Sequence, residues 1–233
     1  WIDIRLCRIY NTDIRTAVTT FCDLPGSPGS LALTREGEVL LAVNQELLVL
    51  SKNSEPRRLA ALPTSALGQF NDGKPDAAGR FWVGTATADG HFDCCLWRYD
   101  PREGFSSQLP GISMSNGIGW SPDRCRMYYV DSVTHCLDVL EHDPESGTLG
   151  ERRSLVTLPE GQLPDGLSVD AEGGIWLAVW GGACVLHLSP DGEELDRIHL
   201  PTPLVTSCAF GGPDYSTLFI TTASEEDDDP YAG

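Results

Sequence analysis

The sequence predicts an all-β fold, a six-bladed β-propeller formed by residues 1–233 as a single domain. Two observations support this prediction. A short apolar strand recurs at separations of 39 to 48 residues, close to the span of about 40–50 residues that one four-stranded blade occupies. No segment has the apolar stripe of a helix of ordinary length. An irregular β-sandwich is the alternative, but a sandwich would not keep one period through six copies.

The recurring strand carries an aromatic or large aliphatic residue at its second position, which we use as the marker of each copy. Side chains of this kind let neighbouring blades pack face to face, so the markers are expected in the core and not in catalysis. The first copy resembles the others with its front cut off. The markers are Trp1, Leu40, Trp82, Tyr128, Trp176 and Phe219.

The segments on either side of the marker strand repeat as well. Most copies follow a turn rich in Asp, Glu, Gly or Pro, such as residues 76–79 and 170–173. These residue types cap tight turns or tolerate positive φ. A second apolar strand precedes the turn, as at 167–169, and a third follows the marker strand, as at 185–188. This order of strands is typical of antiparallel propeller blades.

The charge balance excludes two classes of partner. Asp and Glu total 34 against 16 Lys and Arg, which gives a net charge of −18. Such a surface repels nucleic acid and anionic membranes. No apolar run approaches the roughly 20 residues of a membrane span, and no secretory leader opens the chain. We therefore expect a cytoplasmic protein, and the start at Trp1, inside a strand and without Met, indicates a missing N-terminal piece.

Other familiar sites have no signature in the chain. The eight cysteines form no CxxC pair and no zinc-site spacing with histidine, so reduced thiols are expected. A GxSxG elbow and an HExxH helix are both absent. The acidic run 225–229 lacks the spaced ligands of an EF-hand, and we interpret it as a solvated loop.

Polar residues recur at the start of the first strand of successive blades. In a propeller these positions surround one mouth of the central channel. This position in three successive repeats is occupied by Asn71, Asn116 and Asp165, and we call it their shared phase. A glycine follows each of them within two residues. Amide and carboxylate oxygens suit Ca²⁺, Mg²⁺ or Mn²⁺ better than thiophilic metals. Asn-Gly and Asp-Gly pairs also form ordinary turns, so the phase supports a structural and a functional interpretation about equally.

Several sequence runs at and around these positions form one ordered set. They are 70–85 (FNDGKPDAAGRFWVGT), 115–123 (SNGIGWSPD), 164–182, 206–223 and 230–233. In these runs, and in their order, the chain resembles the regucalcin–gluconolactonase family, relatives of other six-bladed lactonases and esterases. The resemblance implies a hydrolase that opens a sugar lactone, such as glucono-1,5-lactone, to the aldonic acid. A small-molecule sugar lactone is therefore the expected partner.

The same resemblance implies one divalent metal ion, Ca²⁺, Mg²⁺, Mn²⁺ or Zn²⁺, held by an Asn, an Asp and a Glu. The Asn falls on Asn116 and the Asp on Asp165, which is also the candidate general base. The Asn that helps to hold substrate or metal-bound water falls on Asn71. Asp72 is an additional carboxylate beside it, and Gln69 stands where the family often has an arginine that contacts substrate.

The chain departs from the family pattern at both ends and at one internal position. The family's Glu precedes the strand that Trp1 opens, and a strand that helps to close the ring follows the position of Gly233. We therefore expect a propeller that lacks its N-terminal and C-terminal closing strands. If the molecule itself lacks the Glu, its metal affinity should fall. Gln69 in place of arginine leaves the identity of the lactone open.

Three other functions compete with the lactonase. A non-catalytic calcium-binding regulatory propeller would use the same axial residues without turnover, and a lactonase assay separates the two. An interaction propeller would bind a protein partner on its faces, but it leaves the shared phase of Asn71, Asn116 and Asp165 unexplained. A related hydrolase of phosphotriesters or other esters is the third, since one fold supports several chemistries.

Overall fold

The structure, a computed structural model, describes residues 1–52, 54–87 and 89–224. Within these ranges the chain forms twenty-one β-strands and one 3₁₀ helix of three residues, Ser132–Thr134. The predicted all-β class is therefore confirmed. None of the helical structure in these ranges has the length and apolar character that crossing a membrane requires. The acidic run 225–229 and the family-like run 230–233 lie outside the described residues.

The chain divides into two compact units, of which the first is Trp1–Ser115. Whether residues 1–233 act as one domain stays a prediction. The first unit contains an antiparallel sheet of three strands followed by two antiparallel sheets of four strands. These are β1 (Ile2–Asp3), β2 (Arg8–Asp13) and β3 (Val18–Asp23); β4 (Pro28–Leu33), β5 (Val39–Val43), β6 (Glu46–Leu50) and β7 (Arg57–Ala61); and β8 (Gln69–Pro75), β9 (Phe81–Ala86), β10 (Cys94–Asp100) and β11 (Gly104–Ile112).

The second unit, Asn116–Gly233, contains two four-stranded sheets and one sheet of two strands. In every four-stranded sheet of both units the strands pair in chain order, as expected for blades built from consecutive hairpins. The strands are β12 (Ser115–Trp120), β13 (Arg126–Asp131), β14 (Cys136–His142) and β15 (Leu149–Thr157); β16 (Leu163–Val169), β17 (Ile175–Trp180), β18 (Cys184–Leu188) and β19 (Glu194–His199); and β20 (Val205–Gly211) and β21 (Thr217–Thr222).

The prediction of six blades is wrong, although the all-β propeller class holds. A blade needs four strands, and the twenty-one strands of the described ranges supply a five-blade arrangement. Counting markers overestimates the number because every copy of the marker strand was equated with a whole blade. The first and last copies, at Trp1 and Phe219, instead belong to the sheets of three and two strands.

The prediction that the markers lie in the core is confirmed for two of the six. Leu40 and Trp176 are only half-buried, and Trp1 is 41% exposed. Trp82 and Tyr128 are fully buried in four-stranded sheets, and their strands contribute to two separate apolar clusters. Phe219 is 40% exposed. It lies on β21, whose sheet has no third strand in the described part of the chain to extend the packing surface. Both fully buried markers lie in four-stranded sheets, and both exposed markers lie at sheets with fewer strands. Burial of a marker therefore depends on the completeness of its sheet as well as on its residue type.

Candidate functional site

The predicted site residue Asp165 lies at a β-bulge in the first strand of its sheet. Asp165 and Gly166 of β16 face the single residue Ala178 of β17, between two regular pairs of the ladder. A bulge leaves an extra residue outside the regular pairing and turns its side chain in a new direction. The bulge thus releases the Asp165 carboxylate from the alternation of a regular strand, and the residue is half-buried.

The first unit repeats this device on β8. Asn71 and Asp72 face Gly84 alone, again between regular pairs. The first strands β4 and β20 also shift register near their starts. Asn116 lies inside β12 as its second residue. These Asn and Asp residues are therefore not in turns, and the interpretation of them as ordinary turn formers is excluded.

Two of the predicted residues are brought together in the second unit, where β12 approaches β16. Gly117 directly follows Asn116 in β12. A Cβ atom at Gly117 would lie 2.5 Å from the carbonyl oxygen of Asp165, closer than real Cβ atoms come to backbone. Only glycine allows this approach. The strands that carry Asn116 and Asp165 are consequently in backbone contact at the positions of the two predicted metal ligands.

A buried serine links these two strands further. Asn116 is 8% exposed, and its Nδ2 donates a hydrogen bond of 2.7 Å to Ser132 Oγ. Ser132 Oγ in turn donates one of 2.6 Å to the carbonyl oxygen of Pro164, the residue before Asp165. Sequence reasoning missed Ser132. Its only signal was a polar residue directly after an apolar marker strand.

The remaining predicted residues, Gln69, Asn71 and Asp72, share strand β8 in the first unit. Gln69 is exposed and opens the strand. Asn71 Nδ2 donates a hydrogen bond of 2.8 Å to the carbonyl oxygen of Ser115. Asp72 Oδ1 accepts one of 2.7 Å from the Gly73 amide. Polar side chains therefore cluster where β8 begins.

Two further features mark this part of β8 as electrostatically unusual. Burial raises the pKa of Asp72, although the positive charge of Lys74 and the hydrogen bond from the Gly73 amide oppose this shift. Ser30, on the neighbouring strand β4, lies beside Gly73 and is buried. Its Oγ has no hydrogen-bond partner among the described residues. A buried hydroxyl without a partner marks a place where a polar ligand group would be stabilised.

The donor set of the second unit fits a hard divalent cation. Asn116 offers an amide oxygen and Asp165 a carboxylate, and oxygen donors of these kinds bind Ca²⁺, Mg²⁺ or Mn²⁺. Calcium takes six to eight oxygen ligands, so two side chains leave positions for water or substrate. No group of three His, Cys, Asp or Glu side chains that could hold a metal occurs in the described ranges. The candidate site therefore depends on Asn116 as well as on the carboxylate.

The fold agrees with a comparison to known proteins. The family profile of the SMP-30/gluconolactonase/LRE-like region matches residues 1–224. The chain belongs to this family. The matched region of the profile thus includes every described strand of both units.

Individual relatives within this family are similar over nearly the whole chain. The 6-deoxy-6-sulfogluconolactonase of Pseudomonas putida is 36% identical over 242 residues, which cover 97% of this chain and 79% of the relative. The pentonolactonase of Haloferax volcanii is 34% identical over 98% of this chain and 78% of its own. Both are named for the hydrolysis of lactones. Lactone hydrolysis is therefore supported at the level of the family.

A solved structure from the family has nearly the same fold. The crystal structure of a calcium-binding protein, regucalcin, from Agrobacterium tumefaciens superposes with a TM-score of 0.89 at 27% identity. The match covers 97% of this chain and 78% of that one. The name of that protein connects the family with a divalent cation.

Proposed function

We propose that this protein hydrolyses a sugar lactone to the aldonic acid and depends on a divalent metal ion. The observation that carries the proposal is the junction of β12 and β16, where Asn116 and the bulged Asp165 lie on strands in backbone contact. The two lactonase relatives support the reaction class. A sugar lactone in the cytoplasm is the proposed substrate.

Asn116 Oδ1 and the Asp165 carboxylate are the proposed metal ligands from this chain. A divalent cation held there would withdraw charge from the lactone carbonyl and lower the pKa of a nearby water. The calcium-binding name of the Agrobacterium relative supports such a cation. Ca²⁺, Mg²⁺, Mn²⁺ and Zn²⁺ are all candidates to be tested.

Asp165 is the proposed general base. Its half-buried carboxylate, turned out of the ladder by the bulge, accepts a proton from the attacking water. The water oxygen then bonds to the carbonyl carbon, and the bond from that carbon to the ring oxygen breaks. The proton passes from Asp165 to the released ring oxygen, which yields the open hydroxy acid.

Gln69, Asn71 and Asp72 are the proposed substrate-binding residues. Their amide and carboxyl groups match the hydroxyl groups of a sugar, which both donate and accept hydrogen bonds. Gln69 lacks the fixed positive charge of an arginine. We therefore propose that it favours a neutral lactone over an anionic one.

The test is hydrolysis of D-glucono-1,5-lactone and a D-xylonolactone by metal-stripped protein, followed by acid release. Each of the four cations is added back separately. We expect turnover that depends on the added metal and that falls at least about 100-fold in Asp165→Ala, as loss of a general base does. Asp196→Ala, which removes an exposed carboxylate from β19 of the same sheet, is the matched control and should keep full activity.

Two results of this assay would reject the proposal. One is a wild-type rate in Asp165→Ala, which would exclude this base. The other is a folded protein without turnover on any lactone with any cation. If that protein nevertheless binds Ca²⁺, the name of the Agrobacterium relative would favour the second candidate, a non-catalytic calcium-binding propeller.

A further inference from the structure

The hydrogen bonds around Ser132 determine which end of the Asn116 amide faces it. A serine hydroxyl has one hydrogen to donate. That hydrogen is directed to the Pro164 carbonyl oxygen, which can only accept. Toward Asn116, Ser132 Oγ can therefore act only as an acceptor. The amide must therefore present its NH₂ group to the serine. This agrees with the hydrogen bond of 2.7 Å that Asn116 Nδ2 donates to Ser132 Oγ.

This orientation has a consequence for metal binding. The amide group is planar, so with Nδ2 held at Ser132 its oxygen points away from the serine. The oxygen is the only amide atom that can bind a cation, because the NH₂ group offers hydrogens and no lone pair. Without Ser132, the two orientations of the amide would differ less in energy, and one of them would turn NH₂ toward the cation.

We propose that Ser132 is a positioning residue that selects the metal-binding orientation of Asn116 and joins it to the bulge of Asp165. This inference rests on the proposed function, in which Asn116 and Asp165 hold a divalent cation. Ser132 is 2% exposed, so bulk water cannot take over its two hydrogen bonds. It lies at the start of the 3₁₀ helix Ser132–Thr134, and it contacts residues 16 and 32 positions away in the chain.

The test compares the binding of Mn²⁺ and of Ca²⁺ to metal-stripped wild-type and variant proteins by titration calorimetry. Ser132→Ala should weaken the affinity about 10- to 100-fold, the usual loss when a residue that orients a metal ligand is removed. Ser132→Thr keeps the hydroxyl and should recover most of that loss. Thermal unfolding of each variant without metal verifies that it is folded.

Ser168→Ala is the matched control. Ser168 lies on β16 and is 8% exposed, and its Oγ donates a hydrogen bond of 2.8 Å to the carbonyl oxygen of Cys208. Its removal deletes a comparable buried hydrogen bond to backbone, away from Asn116. We expect Ser168→Ala to lower the melting temperature and to leave the metal affinity unchanged.

A double-mutant cycle with Asn116→Ala tests whether Ser132 acts through the amide. With Asn116 removed, Ser132→Ala should cause no further loss of affinity, because there is no amide left to orient. Equal losses in both backgrounds, or equal losses in Ser132→Ala and Ser168→Ala, would overturn the positioning role. An affinity unchanged by Asn116→Ala would instead refute the metal site itself, and the proposed function with it.

Discussion

The turn before the marker strand can be compared in two blades, one from each unit. In β8–β11 it begins with Asp76, and in β16–β19 with Asp170. Each carboxylate accepts backbone N–H groups of its own turn through Oδ1. Each Oδ2 also accepts the indole N–H of the marker tryptophan, Trp82 or Trp176, at 2.9 Å. The two blades thus share one device that fastens a turn to a core residue.

The two turns differ in the group that balances the aspartate. In the first, Arg80 Nε lies 2.6 Å from Asp76 Oδ2, with side chains 6% and 2% exposed. In the second, the position of Arg80 is taken by Gly174, which has no side chain. The imidazole of His187 occupies the space instead, with its Nε2 3.4 Å from Asp170 Oδ2. One aspartate therefore has a permanent buried cation as its partner, and the other has a partly exposed, titratable ring.

The groups that lie against the two marker tryptophans differ in the same way, an arginine in the first blade and a histidine in the second. Arg98 pairs across the strands with Trp82, and its guanidinium lies 5.8 Å from the ring centroid. His187 occupies the equivalent place opposite Trp176 and stacks on it at 4.0 Å. The same turn is therefore stabilised in two ways. One is a buried ion pair, in which each charge needs the other. The second is an aspartate beside a partly exposed histidine, where loss of the aspartate leaves no permanent charge buried. Substitutions should reveal that difference.

The largest expected effect is that of Asp76→Ala. Removal of this carboxylate breaks the buried ion pair with Arg80, and removing one partner of such a pair costs about 3–5 kcal/mol. Asp170→Ala should cost less, about 1–3 kcal/mol, because it removes hydrogen bonds but strands no permanent charge. Urea unfolding followed by circular dichroism measures both losses. Equal losses would remove the distinction between the two turns.

A second substitution sharpens this prediction. Arg80→Met in the Asp76→Ala background removes the stranded charge and keeps an apolar side chain in its place. The double variant should be more stable than Asp76→Ala alone, since replacing both members of a buried ion pair is often close to neutral. A double variant that is less stable than the single one would show that Arg80 is stabilised by its other contacts and not by Asp76.

Gly174→Ala is expected to have the next largest effect. Its Cβ would lie 2.5 Å from Asp170 Oδ2 and would collide with the His187 ring. Overpacking of this kind costs about 1–3 kcal/mol, although alanine in place of glycine is stabilising where space permits. In a His187→Ala background the cost should be smaller, because one of the two colliding groups is gone. The same unfolding measurement checks this, and an equal cost in both backgrounds would contradict it.

The elements of these blades were largely predictable from the sequence because their signals are local. The marker strand expected at 175–179 is β17, and the turns expected at 76–79 and 170–173 precede marker strands as predicted. The number of blades was not predictable, because a strand near either end of the chain has the same pattern whether or not its sheet is complete. Sheet completeness depends on pairing with distant segments, which single strands do not encode.

In the candidate site, too, local features were predictable from the sequence and features that depend on distant residues were not. The shared phase of Asn71, Asn116 and Asp165 located the starts of three first strands. It could not reveal the bulges, since these depend on register against the next strand. Ser132 escaped prediction because both of its hydrogen bonds reach distant residues of the chain. The turn residue Asp170 was recognised, but its bond to an indole six residues later was not.

The smallest expected effect is a dependence of stability on pH through Asp170. Burial raises the pKa of this carboxyl, but hydrogen bonds from Trp176, Gly174 and Glu172 and the charge of His187 lower it, and the net pKa lies below the ordinary value of 3.8. Since the folded state has the lower pKa, the stabilisation is complete above the ordinary value and is lost as the pH falls through the folded pKa.

The difference in the free energy of unfolding between wild type and Asp170→Asn should therefore shrink in acid. In a His187→Ala background the shrinkage should begin at a higher pH, because the charge that helps to lower the pKa is absent. Unfolding curves between about pH 6 and pH 2 test both expectations. A difference that stays constant over this range would contradict them, because the contribution of Asp170 to stability would then not depend on its ionisation.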